Sequence, residues 1–149
     1  EQAVERFRRN SEISAFLQLE WDETKLPAEV EIQVLRIIQE ALANIRKHSE
    51  ANAVRVLMRA GSDGYYMVMV EDDGIGIQNK VMESGPGEHL GLNILEERAS
   101  RIGGEVKIES DMGEGTRVIL RFPIPASSPA DSEESETVNV AFPTTQAIN

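Results

Sequence analysis

The feature that most constrains the fold is one long apolar stripe. Between Leu26 and Ile45, the residues Val30, Val34, Ile37, Ile38, Ala41, Leu42 and Ile45 recur at three- and four-residue intervals. This spacing sets them along one side of a helix, which must then face an apolar surface. Pro27 fits the first turn of that helix, where its missing N–H has no helical partner to lose. The facing surface has to come from strands, because most other apolar residues alternate. Ile13, Ala15, Leu17, Leu19 and Trp21 fall at every second position, and Val54, Val56 and Met58 alternate with Arg55, Leu57 and Arg59. After the turn Gly61-Ser62-Asp63-Gly64, the run from Tyr65 to Val70 is almost wholly apolar and reads as the buried member of a hairpin. Val106 and Ile108 lead into the turn Met112 to Gly115, and Val118, Leu120 and Phe122 make a closing strand. Leu92, Leu95, Ala99 and Ile102 predict a second helix that stops at Gly103-Gly104, and Val4 and Phe7 among charges give an amphipathic start to the chain.

Several classes of function are excluded by composition. A chain of 149 residues fits one domain with a single core, and without cysteine neither a disulfide framework nor a thiolate zinc site is available. The formal charge of −11 argues against a nucleic-acid surface, which needs clustered Lys and Arg. No apolar run approaches the roughly 20 residues of a membrane span, and no signal-peptide pattern opens the chain. Residues 126–149 contain no Lys or Arg, four acids and many Ser, Thr, Pro and Ala. Such a composition predicts a disordered acidic tail after a core that ends near Pro125. Removing the tail's four charges from −11 leaves −7 on residues 1–125, so the acidity belongs mostly to the domain.

Four short constellations carry candidate chemistry. Glu40, Asn44, Lys47 and His48 share one stripe at the end of the long helix, a set suited to a magnesium-phosphate group or simply to a solvated polar face. Glu71-Asp72-Asp73-Gly74-Ile75-Gly76-Ile77 follows a strand directly: a carboxylate able to accept from an amino group, with glycines that let backbone approach a flat ligand. An acidic tight turn is the plainer reading, and the spaced ligands of an EF-hand are missing. Gly85-Pro86-Gly87-Glu88-His89-Leu90-Gly91-Leu92 runs into the second helix, whose N-terminus is a natural seat for phosphate, although a flexible loop has the same composition. It matches neither a Walker loop nor a Rossmann turn. Residues 78–90 form a candidate lid. Gly113-Glu114-Gly115-Thr116 brings a hydroxyl into the last strand, or is a simple hairpin turn.

The order of these pieces supplies the specificity that each one lacks. Together they resemble the Asn box and the three glycine boxes of the GHKL ATPases, over about residues 13–122. Gln39-Glu40-Ala41-Leu42-Ala43-Asn44, Lys47-His48-Ser49 and Glu97-Arg98-Ala99 resemble more narrowly the sensor histidine kinases paired with NarL-type response regulators, including the nitrate/nitrite sensors. His89 stands where many relatives have glycine before the Leu-Gly-Leu step. The resemblance implies an α+β fold: a two-layer α/β sandwich of the Bergerat type, with a mixed, largely antiparallel five-stranded sheet and three helices on one face. It implies ATP and Mg2+ as cofactors and roles for particular residues. Asp72 would accept from the adenine amino group, Gly74, Gly76 and Ile77 would shape the base pocket, and Asn44 would ligate magnesium. Lys47 and His48 would meet phosphate oxygens, Gly87, His89, Leu90, Gly91 and Leu92 would belong to the lid, and Thr116 would lie close to the nucleotide. Glu40 would activate water in hydrolysing relatives, whereas in a histidine kinase it would polarise or orient. The implied domains are the end of a connecting helix (1–12), the ATP-binding catalytic domain (13–125) and the tail (126–149). The implied partners are an upstream dimerisation domain carrying the phosphoacceptor histidine and a NarL-type regulator. The parent would be a homodimeric inner-membrane sensor with this domain, by itself a monomer, in the cytoplasm. A serine kinase of the anti-sigma type, another GHKL ATPase and a degenerate nucleotide-binding module are the alternatives.

Overall fold

A computed structural model describes residues 1–21, 26–76 and 90–124. The expectations for Ile77, Gly87 and His89, for the rest of the lid before Leu90, and for the acidic tail lie outside the described residues. Eight elements follow one another: α1 (Gln2–Asn10), β1 (Ser14–Glu20), α2 (Ala28–His48), β2 (Ala53–Ala60), β3 (Tyr65–Asp72), α3 (Leu90–Arg101), β4 (Glu105–Asp111) and β5 (Gly115–Pro123). The strands form one sheet in the order β1-β2-β3-β5-β4. Only β1 and β2 run parallel; the other three pairings are antiparallel. This is the expected mixed α+β sheet with three helices.

Strand alternation decides which side each residue faces. Val54, Val56 and Met58 of β2, Tyr66, Val68 and Val70 of β3, and Leu120 and Phe122 of β5 are buried. They join Ile37, Ile38, Ala41, Leu42 and Ile45 of α2, Leu95 and Ala99 of α3, and Val4 and Phe7 of α1 in one core. Trp21 and Phe122 both pack on the Tyr66 ring, with centroids 5.1 and 5.4 Å away. Two details differ from the sequence reading. Pro27 caps α2 from outside, with ψ 143°, and the helix begins at Ala28. Pro27 O accepts from Glu31 N–H at 3.0 Å, so its fixed φ serves the cap position as well as it would the first turn. The apolar run of β3 is buried on one side only: Tyr65 is exposed and Met67 and Met69 are half-buried on the open face of the sheet, where no helix of the described residues packs.

A ladder of charge crosses that open face. Glu71 accepts from Arg55 at 2.7 Å and from Arg117 at 2.6 Å, and Arg117 lies 3.8 Å from Glu109, which also pairs with Lys107 at 3.0 Å. The register places Arg55 opposite Glu71 and Glu71 opposite Arg117, so strand pairing alone brings unlike charges together. The bond from Arg117 chiefly, joined by Arg55 and opposed by partial burial, holds the Glu71 carboxyl below the usual carboxylate range. A depressed carboxyl stabilises the fold above its unfolded value and ceases to do so as pH falls through the folded one. Glu71→Gln should therefore lower stability at neutral pH by less than about 1 kcal/mol, since the partners are solvated. Thermal unfolding followed against pH should show the gap closing below the ordinary value of 4.5.

Candidate nucleotide site

Three polar side chains are buried among the described residues, and all lie at one end of the sheet: Ser49, Asp72 and Thr116. Asp72 arrives there by register. The alternation that buries Tyr66, Val68 and Val70 continues to the last residue of β3 and turns a carboxylate inward, 4% exposed, between Val54 of β2 and Thr116 of β5. Its Oδ1 accepts from Gly74 N–H at 2.8 Å. Across the pair, the Thr116 hydroxyl is 3.0 Å from Ser110 Oγ. Burial pushes the Asp72 carboxyl above its usual range, against the backbone N–H bonds of Gly74 and Thr116 that favour the ionised form.

The glycines that follow are required by contact. A Cβ on Gly74 would stand 2.1 Å from Ser49 O, and one on Gly76, at φ +82°, would stand 2.7 Å from Asp111 O. The segment between them is sewn on both sides: Ile75 N–H donates to Ser49 O at 2.8 Å, and Ile75 O accepts from Gly113 N–H at 3.1 Å. The end of α2, the loop after β3 and the β4–β5 turn thus meet around Gly74 and Gly76.

Helix direction brings the remaining candidates to this end. α2 runs toward Ser49, and Asn44 precedes Ser49 by about 7–8 Å of helix. Glu40 and Asn44 are half-buried on α2, while Lys47 and His48 are exposed in its last turn. α3 lies antiparallel to α2, since Arg98 near its end reaches Gln33 near the start of α2 at 3.3 Å. Its N-terminus, with Leu90, Gly91 and the half-buried Leu92, therefore points toward the Asp72 end, and its C-terminus closes at the far end, where Gly104 N–H returns to Ala99 O at 2.9 Å. The helix begins two residues earlier than the apolar spacing implied, inside the Leu-Gly-Leu step. Among the described residues no three His, Cys, Asp or Glu gather as a metal site.

Two residues at the site stand inside motifs quoted from the sequence but were given no role there. Ser49 is buried with its hydroxyl donating to Ile45 O at 2.8 Å and accepting from Ala51 N–H at 3.2 Å. The Asp73 carboxylate accepts from Asn52 N–H at 2.8 Å and Ala53 N–H at 2.9 Å. The doubled acid Asp72-Asp73 was the available signal, because alternation can bury only one of two neighbours.

A buried carboxylate and its glycine cradle thus sit at the same end of an α+β sheet as the end of α2. Residues 29–126 match the family described as histidine kinase-, DNA gyrase B- and HSP90-like ATPase. The chain belongs to this family, and it is an ATP-binding catalytic domain of the sensor histidine kinase kind. It is 37% identical over 111 residues to the nitrate/nitrite sensor protein NarQ of Escherichia coli, covering 74% of this chain and 18% of NarQ. It is 31% identical over 137 residues to the sensor histidine kinase LiaS of Bacillus subtilis, covering 91% of this chain and 36% of LiaS. The chain thus spans well under half of these relatives. The ATP-binding domain of PrrB from Mycobacterium tuberculosis shares the fold, with a TM-score of 0.64 at 22% identity, over 84% of this chain and 90% of that domain.

Two substitutions separate function from stability. Because the folded state raises the Asp72 pKa, ionising this group destabilises the fold as pH rises through the folded value. Asp72→Asn keeps an oxygen for Gly74 N–H and should raise the unfolding temperature by a few degrees at pH 7, an advantage that disappears in acid. Gly74→Ala should cost about 1–3 kcal/mol through the clash with Ser49 O. Thermal scans of both variants check these opposite signs.

Proposed function

We propose that the chain binds ATP with magnesium and presents the γ-phosphate to a histidine on a separate dimerisation domain of its parent, for onward transfer to a NarL-type response regulator. The observation that carries this reading is the buried Asp72 carboxylate in its Gly74–Gly76 cradle, joined through Ser49 to the end of α2. A flat base that offers an amino donor suits this buried acceptor, and a triphosphate extending from it would run toward the last turn of α2 and the N-terminus of α3. The residues assigned to the base are Asp72, Gly74, Gly76 and Ile77, with Thr116 beside them. Asn44 offers magnesium its amide oxygen, Lys47 and His48 serve the phosphates, and Gly87, His89, Leu90, Gly91 and Leu92 form the lid. When bound, a magnesium ion held through Asn44 would supply neutralisation of phosphate charge.

In the reaction, the bond between the γ-phosphorus and the β–γ bridging oxygen is exchanged for a phosphorus–nitrogen bond to an imidazole, and ADP leaves. The chain's contribution is to hold and aim. Glu40, half-buried one helical turn before Asn44, orients the incoming imidazole or its proton. His48 and His89 are assigned to nucleotide contacts, so the acceptor is supplied from outside residues 1–149. The parent is read as a homodimeric inner-membrane sensor of the nitrate/nitrite group, with residues 1–12 continuing from its dimerisation helix; the 37% identity to NarQ supports the group.

Labelled ATP incubated with the chain and a purified dimerisation domain should transfer label to that domain's histidine, whereas the chain alone should remain unlabelled. Absence of transfer with intact ATP binding would remove the kinase reading. Calorimetry separates base from metal. Asp72→Asn should weaken ATP and ADP alike by about 1.5–3 kcal/mol, with or without magnesium. Asn44→Ala should spare magnesium-free ADP and lose only the gain that magnesium brings to ATP.

A further inference from the structure

The two halves of the site ride on different elements, Asp72 on β3 and the Asn44–His48 stripe on α2, and the span between them is set by the turn Ser49–Asn52. That turn is under strain. Glu50 sits at φ +52°, the left-handed region that a side chain with a Cβ rarely adopts. Two sets of bonds hold it. Ser49 Oγ bridges Ile45 O and Ala51 N–H, while its carbonyl receives Ile75 N–H and lies against Gly74. On the far side of Glu50, one Asp73 carboxylate oxygen collects two successive N–H groups, those of Asn52 and Ala53, and Asp73 N–H returns to Ala53 O at 3.3 Å. The Asp73 side chain is exposed, so burial does not fix it there.

We propose that Asp73 is a positioning residue for the nucleotide. By fastening the strained turn to the residue next to Asp72, it sets the offset between the base-reading carboxylate and the phosphate-reading end of α2. The inference rests on the nucleotide reading above and deepens it. Its consequence is selective: a ligand touching only the base end does not sense the offset, whereas a ligand spanning both ends does.

The test compares adenosine with Mg-ATP by calorimetric titration of the wild type, Asp73→Ala, Asp73→Asn and Ser49→Ala. Asp73→Ala should weaken Mg-ATP by about five- to tenfold, the scale of one or two lost hydrogen bonds, and leave adenosine within about twofold. Asp73→Asn should restore Mg-ATP binding to within about twofold of the wild type, because an amide oxygen accepts the same two N–H groups. Equal loss of adenosine and Mg-ATP in Asp73→Ala, no loss of either, or an Asn variant as weak as the Ala variant would overturn the inference. If Asp73→Ala does not fold, Ser49→Ala decides instead: it removes the acceptor of Ala51 N–H in the same turn and should show the same selective loss, and parallel behaviour of the two ligands overturns the proposal. A wild type that fails to bind Mg-ATP overturns the nucleotide reading itself and the inference with it.

Discussion

Placing an ionisable carboxylate where the core should end is the constraint on which the rest of this domain turns. β3 fills the inner layer with Tyr66, Val68 and Val70 and then, in the same register, with Asp72. Moving a carboxylate away from water is unfavourable, and the raised Asp72 pKa expresses that cost. Gly74 N–H offsets part of it but ties the loop tightly back on the strand. That tie forces Gly74 against the end of α2, where only the absence of a side chain lets Ser49 O approach. Gly115 meets the same demand from the other side, since a Cβ there would stand 2.0 Å from Asp72 O. A group that destabilises the fold yet dictates the packing of three neighbouring segments has the character of a functional site.

The topology converts this local constraint into a site of useful size. β2 and β5 both pair with the end of β3, so the α2–β2 and β4–β5 turns are delivered to Asp72 by strand register alone. α2 packs across the sheet with its C-terminus at that end, and α3 packs against α2 in the opposite sense. One helix therefore presents its last turn and its cationic side chains there, and the other presents its N-terminus, the positive end of its dipole. α1 completes the layer over β1, with Val4 and Phe7 in the core and Arg8 donating to Ala15 O on the strand edge.

Much of this was legible in the sequence because period and burial share a cause. The stripe of α2 and the alternations of β2 and β5 follow from facing one core, so their apolar residues named the elements and the buried face together. Asp72, Gly74, Gly76 and Thr116 could be singled out by the order of their motifs along the chain, since each residue type is ordinary beside a strand end. Legibility failed where position is set by another segment. Nothing local in Tyr65–Val70 says that Met67 and Met69 face an open side, since that depends on the helices covering one face alone. Nothing near Ser49 predicts that its carbonyl abuts Gly74, a contact across 25 positions of sequence made by the return of β3 beside β2. Pro27 shows the smaller limit, in which one dihedral suits two adjacent helix positions and packing selects between them.

Electrostatics adds a last constraint on how such a chain can hold a polyanion. With a formal charge of −11, its long-range field repels a triphosphate, and attraction has to be local. At physiological ionic strength charges beyond roughly 8 Å are largely screened, so what matters is the composition of the last turn of α2 and the first turn of α3. Arg46, Lys47 and His48 close α2, and α3 opens without an acidic residue in its first turn. Four of the acids are tied up elsewhere: Glu71 and Glu109 in the ladder on the open face, Asp63 with Arg121 on the same side of the sheet, and Asp73 on backbone amides. In the proposed reading, base recognition by a buried acceptor would not depend on net charge and would anchor the ligand while the phosphate end is only weakly favoured. A divalent cation accompanying the triphosphate would remove most of the remaining repulsion, and in the proposed reading the half-buried Asn44 on α2 would offer that cation a neutral oxygen.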